Sequence, residues 1–102
     1  MLTRMEFKFS EEKCKNYGVT LKACYKTIEK LMAEDDIHQY GLGVYVAPLK
    51  KAFTPFSLLA CDLPESNWFV NTIESWYWFD SNECRNYDDP DYDCLIQLEM
   101  KK

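Results

Sequence analysis

Glycine and histidine are scarce in this chain. Its three glycines, Gly18, Gly41 and Gly43, form no phosphate-cradling loop, and Gly41-Leu42-Gly43 alone is too short to make one. The single histidine, His38, follows the acidic cluster Glu34-Asp35-Asp36 and reads as an exposed loop residue rather than a catalytic base. No C-x-x-C pair occurs among Cys14, Cys24, Cys61, Cys84 and Cys94, so the usual ligand spacing of structural zinc is missing. No uncharged run approaches the roughly 20 residues that a membrane-spanning helix needs. Repeats and low-complexity linkers are missing as well. The 102 residues are expected to form a single α+β domain spanning 1–102, large enough for one core and too small for two.

Five cysteines leave at least one thiol unpaired, and Met1-Leu2-Thr3-Arg4-Met5-Glu6 has no apolar leader segment. Both features point to free thiols in a reducing cytoplasm. Cys24 sits on an apolar helix face and Cys94 on an apolar strand face, which suits small core residues.

What the chain has in quantity is aromatic surface and negative charge, and both concentrate late. Residues 1–60 carry nine Lys/Arg and seven Asp/Glu, a balance of +2, whereas residues 61–102 carry three and ten, a balance of −7. Such asymmetry directs a field toward one kind of partner. Direct nucleic-acid binding is disfavoured, because phosphate affinity comes from clustered Lys and Arg. An anionic membrane surface is disfavoured for the same reason.

Periodicity suggests six elements. Met5, Phe7 and Phe9 alternate with Glu6 and Lys8, a half-buried strand. Ser10 to Gly18 reads as a connection. Thr20 caps a helix whose apolar stripe is Leu21, Cys24, Tyr25, Ile28, Leu31 and Met32, with Lys22, Lys26 and Lys30 on its outer face. Gly41 to Ala47 alternates as a strand, and the mostly apolar Phe53–Cys61 run reads as a second, buried strand opened by Pro55. Asp62-Leu63-Pro64-Glu65 resembles a helix start, followed at helical spacing by Phe69, Val70, Ile73, Trp76 and Tyr77. A final strand runs from Asp93 to Met100. The order strand, helix, strand, strand, helix, strand predicts a ferredoxin-like βαββαβ arrangement, an antiparallel sheet with two helices on one face. The main rival keeps Trp76–Phe79 as a strand hairpinned to the last one, with an acidic loop at the tip.

That loop is the candidate site. Between Asp80 and Asp93 lie six carboxylates against one base, Arg85, directly after Trp76-Tyr77-Trp78-Phe79. An unpaired buried carboxylate costs several kcal/mol, so such a segment is expected to face water or a basic partner. Aromatics beside it add rigid contact area. The expected contact residues are Trp78, Asp80, Glu83, Tyr87, Asp88, Asp89, Asp91 and Tyr92. Function is expected to be that of a small acidic inhibitor or immunity-type protein, not an enzyme, which occludes a basic partner such as a nuclease toxin or another nucleic-acid-directed enzyme. No cofactor or metal is expected. Asp89-x-Asp91-x-Asp93 matches the opening of a calcium loop, but Cys94 stands where Gly is needed and Met100 where Glu is needed. A metal- or small-ligand-binding regulatory domain is the alternative reading, and a small thiol-dependent enzyme a further one.

Overall fold

The computed structural model describes residues 2–80 and 92–93. Alternation builds its central strand: in β1 (Leu2–Phe9), Thr3, Met5, Phe7 and Phe9 point into the core while Arg4, Glu6 and Lys8 point away. The Ser10–Gly18 segment is a helix rather than a connection. In α1 (Glu11–Tyr17), the Ser10 hydroxyl accepts from the Lys13 N–H at 3.2 Å and two glutamates occupy the first turn. Gly18 ends it in the left-handed region at φ 88°, where its own N–H bonds back to Cys14 and Lys15. A polar composition concealed a helix whose caps were in plain view. In α2 (Leu21–Glu34), the expected Thr20 cap accepts from the Ala23 N–H at 3.1 Å, and Cys24, Ile28 and Met32 form the buried stripe.

The expected strand from Gly41 to Ala47 is a hairpin instead. β2 (Gln39–Gly41) and β3 (Val44–Pro48) pair antiparallel across a turn at Leu42-Gly43, with Gly43 at φ 74°. Phe53–Cys61 is not a strand but most of a helix, α3 (Leu49–Asp62), with Pro55 inside it. Ala52 and Phe56 are its buried residues, spaced by four as a helix face requires, and burying that face outweighs the proline. Asp62 therefore closes α3 rather than capping the next helix. A 3-10 turn (Leu63–Glu65) leads into α4 (Asn67–Val70), a single turn. There the Thr72 hydroxyl donates to the Trp68 carbonyl at 2.6 Å and the chain becomes extended.

β4 (Ile73–Asp80) takes the whole Trp76–Phe79 segment, so the strand reading of those four residues is the one observed, and the acidic tip of that rival lies outside the described residues. β5 (Tyr92–Asp93) pairs with it, and the rest of the expected Asp93–Met100 strand lies outside the described residues. The sheet order is β2-β3-β1-β4-β5, antiparallel at every neighbouring pair. The protein is thus α+β with an antiparallel sheet, but the expected βαββαβ element order is not matched. Two α-helices fill the β1–β2 connection, two more with a 3-10 turn fill the β3–β4 connection, and a fifth strand extends the sheet beyond β4. No helix among the described residues is long and apolar enough to cross a membrane.

The core joins Met5 and Phe7 of β1, Tyr45 of β3 and Trp76 of β4 to Ile28 and Met32 of α2, Phe56 of α3 and Phe69 of α4. Aromatic contacts dominate it. Phe7 meets Tyr45 edge-on at 6.2 Å, Phe69 edge-on at 6.0 Å and stacks on Trp76 at 5.9 Å, while Phe69 and Trp76 lie 4.9 Å apart. Such pairs contribute about 0.5–1.5 kcal/mol each beyond their buried area.

Candidate functional site

The site is organised by β4. Because side chains alternate along a strand, β4 cannot place all four consecutive aromatics on one side. Trp76 and Trp78 face the core, opposite Phe7 and Met5 of β1. Tyr77 and Phe79 take the other face, 6.4 Å apart and edge-on. The Arg4 guanidinium covers the Phe79 ring at 3.9 Å, and the Arg4 Nε lies 2.9 Å from a Glu6 carboxylate oxygen. Cation, ring and carboxylate therefore form one layer on the sheet face away from the core, with Arg4 largely shielded from water. Further along, Lys8 pairs with Glu74 at 3.3 Å. Exposed pairs of that kind add little stability.

Of the expected contact residues, Trp78 is placed in the core. It is 9 % exposed, its indole N–H donates to Thr3 Oγ1 at 2.8 Å, and its ring meets Phe56 edge-on at 5.9 Å. Trp78 is thus a support for the site rather than a ring offered to a partner. Of the two aromatics on the outward face, Phe79 is buried under Arg4 and Tyr77 is half-buried. Strand alternation sets Tyr77 outward, since it lies between two inward indoles. Arg4 and Phe79 were not expected at the site. The β1–β4 register, which sets Arg4 opposite Phe79, brings them together.

Asp80 ends β4 opposite Thr3 of β1, and Tyr92 in β5 pairs with Trp78. Trp78↔Tyr92 and Tyr77↔Asp93 hold the two ends of the acidic segment side by side at the sheet edge. Glu83, Tyr87, Asp88, Asp89 and Asp91 lie outside the described residues, as does the Asp89-x-Asp91 start of the calcium-like spacing.

Among the described residues no group of three or more His, Cys, Asp or Glu side chains could hold a metal ion. His38 Nε2 lies 3.1 Å from Asp36 Oδ1, with both side chains largely in water. The Lys51 ammonium also bonds Asp36, at 2.7 Å to its carbonyl and 3.1 Å to its carboxylate. Lys51 first, and His38 after it, hold the Asp36 carboxyl below its ordinary range. Burial, reinforced by the Glu29 charge, raises the Tyr45 phenol well above its ordinary value, so it stays protonated. Grooves open on the surface among the described residues. One of about 340 Å³ is lined by Lys13, Asn16, Tyr17, Val70 and Asn71. Another, about 600 Å³, lies between α2 and the β2–β3 hairpin, with Leu21, Tyr25 and Leu42 as walls and Lys22, Lys26 and Glu29 at the rim. Neither lining contains a nucleophile beside a base. No protein-family model matches the chain, and no curated protein matches it.

Proposed function

We propose that this chain is a small binding protein that covers and occludes a basic protein partner in a reducing cytoplasm, as an immunity-type inhibitor covers a toxin or another nucleic-acid-directed enzyme. One observation carries the reading. Six carboxylates against a single arginine fall between Asp80 and Asp93, and the Trp78↔Tyr92 pairing closes that segment at its base. A closed base lowers the ordering entropy that a partner must overcome, because the two ends are already fixed relative to one another.

Carboxylates gathered in one short segment act first by steering. Complementary charge raises association rates toward about 10⁸ M⁻¹s⁻¹ at low salt, and contacts made after encounter set the rate of release. Basic proteins that handle nucleic acid suit the role, since a row of carboxylates interleaved with aromatic rings resembles phosphates interleaved with bases. Asp80, Glu83, Tyr87, Asp88, Asp89, Asp91 and Tyr92 are the contact residues in this reading, and Trp78 anchors the strand that leads into the segment.

Affinity capture with the wild-type chain and with the Asp88→Lys/Asp89→Lys double variant tests the proposal. Wild type is expected to retain a basic protein in a salt-sensitive manner, and the variant to lose it while melting within about 2 °C of wild type, since exposed charge changes rarely exceed about 0.5 kcal/mol. Retention of the same partner by the charge-reversed variant would overturn the reading.

A further inference from the structure

We propose that Cys14 and Cys24 form a modification site, at which a disulfide-class oxidant joins the two sulfurs and staples α1 to α2. Their Sγ atoms lie 3.5 Å apart, and the two residues are 1 % and 2 % exposed. The approach is built by the turn between the helices. Gly18 and Val19 both donate backbone N–H groups to the Cys14 carbonyl, at 3.0 and 2.9 Å, which folds the chain back after α1. Cys14 is the buried residue of α1 and Cys24 opens the buried stripe of α2, so packing drives both sulfurs to one point. A disulfide bond of about 2.05 Å needs the sulfurs to close by roughly 1.5 Å, a movement that a two-turn helix can supply by sliding.

Burial governs the rate. Desolvation first, and the neighbouring Cys24 after it, push the Cys14 thiol up to about 11, so packed Cys14 is a poor nucleophile at neutral pH. Reaction therefore proceeds through local opening of α1, a helix of seven residues. With oxidised glutathione, one cysteine thiolate attacks a glutathione sulfur and breaks its S–S bond, releasing one glutathione thiolate and leaving a mixed disulfide. The second cysteine then loses its proton, and its sulfur attacks the protein sulfur of that adduct and expels the second glutathione thiolate. The two protein protons end on two glutathione thiols. The protein gives up two electrons and the oxidant takes them.

The experiment incubates the full chain, natively folded, with oxidised glutathione at pH 8. Acid quenching, unfolding, alkylation and peptide mass spectrometry without reductant follow. The expected product is a linkage between the Cys14 and Cys24 peptides, two hydrogen masses lighter than their sum. Cys61, exposed on α3, reports that the oxidant was active by carrying a glutathione adduct. A ring closed over so few residues is expected to raise Tm on the order of 10 °C, reversibly on adding dithiothreitol. Cys14→Ser should show no such rise, and the peptide map of the wild-type chain decides the matter even if that variant fails to fold. Alkyl groups on both Cys14 and Cys24 alongside a modified Cys61, or linkage of either to another cysteine, would overturn the proposal.

Discussion

The Thr3 hydroxyl links the two ends of the described chain: it accepts from the Trp78 indole N–H at 2.8 Å and donates to the Phe79 carbonyl at 2.9 Å. Thr3 is buried on β1 and its partners are consecutive residues of β4, so one small polar group joins the sheet's centre to the strand that carries the acidic segment. Thr3→Val keeps the shape and removes the hydroxyl. The expected loss is about 1–3 kcal/mol, because the indole N–H and the Phe79 carbonyl forfeit a partner inside the core. Urea unfolding of Thr3→Val, Trp78→Phe and the double variant checks this through a sub-additive cycle. Additive losses would show that the two side chains do not act together.

Gly43 makes a second demand of geometry. It sits at φ 74°, and a Cβ there would collide with the Phe7 carbonyl oxygen and press on the Tyr25 ring. Gly43 also accepts the Phe7 N–H at 2.8 Å, which continues the β1–β3 ladder into the hairpin turn. Gly43→Ala is therefore expected to cost about 2–4 kcal/mol, from positive-φ strain plus a backbone clash. Gly18→Ala provides the contrast. It shares a positive φ but meets open space, and should cost only about 1 kcal/mol by the same unfolding measurement.

Pro55 lies in the interior of α3 and donates no hydrogen bond to the turn before it. Pro55→Ala restores a donor to a helix that already forms, and is expected to raise stability by about 1–3 kcal/mol. The added freedom of the unfolded chain opposes this gain by a smaller amount. A lower denaturation midpoint for Pro55→Ala would contradict the account.

Asp36 predicts a pH dependence with a definite sign. Its carboxyl is held low by Lys51 first and by His38 after it. A depressed acid contributes stability above its unfolded value near about 3.9, and loses that contribution as pH falls through its folded value. Lys51→Met should thus melt below wild type at pH 7, and the two melting temperatures should converge as pH falls through the lowered folded value. Asp36 is also at φ 57°, a conformation that aspartate tolerates better than most residues, so Asp36→Asn should be milder than Asp36→Val. Thermal melts from pH 7 to pH 2.5 measure both effects.

Local signals were legible where local physics decides. Thr20 with the Cys24, Ile28 and Met32 stripe suffices to place α2, because a cap and a 3.6-residue period belong to the segment itself. The alternation of Met5, Phe7 and Phe9 does the same for β1. Phe53–Cys61 misled for a local reason. Pro55 suggested a strand edge, while the spacing of Ala52 and Phe56, the evidence for a helix, was crowded by other apolar residues. The Phe69–Tyr77 stretch misled for a non-local one. Phe69 does lie in a helical turn, α4, but helical spacing carried on through Ile73, Trp76 and Tyr77, and there the β1 ladder, some seventy residues away in sequence, chose the strand.

The sequence by itself determined that this protein mixes helix with sheet around an aromatic core, and that its negative charge gathers between Asp80 and Asp93. Those properties follow from side-chain chemistry and short-range period, which need no partner to be read. Only the tertiary structure decided that Trp78 turns inward to Thr3 while Phe79 turns outward under Arg4. It also decided that Cys14 meets Cys24, and that Trp78 pairs with Tyr92 at the root of the acidic segment. Each is a contact between distant segments, set by strand register and helix packing, and register is chosen by the sum of all buried side chains rather than by any one stretch.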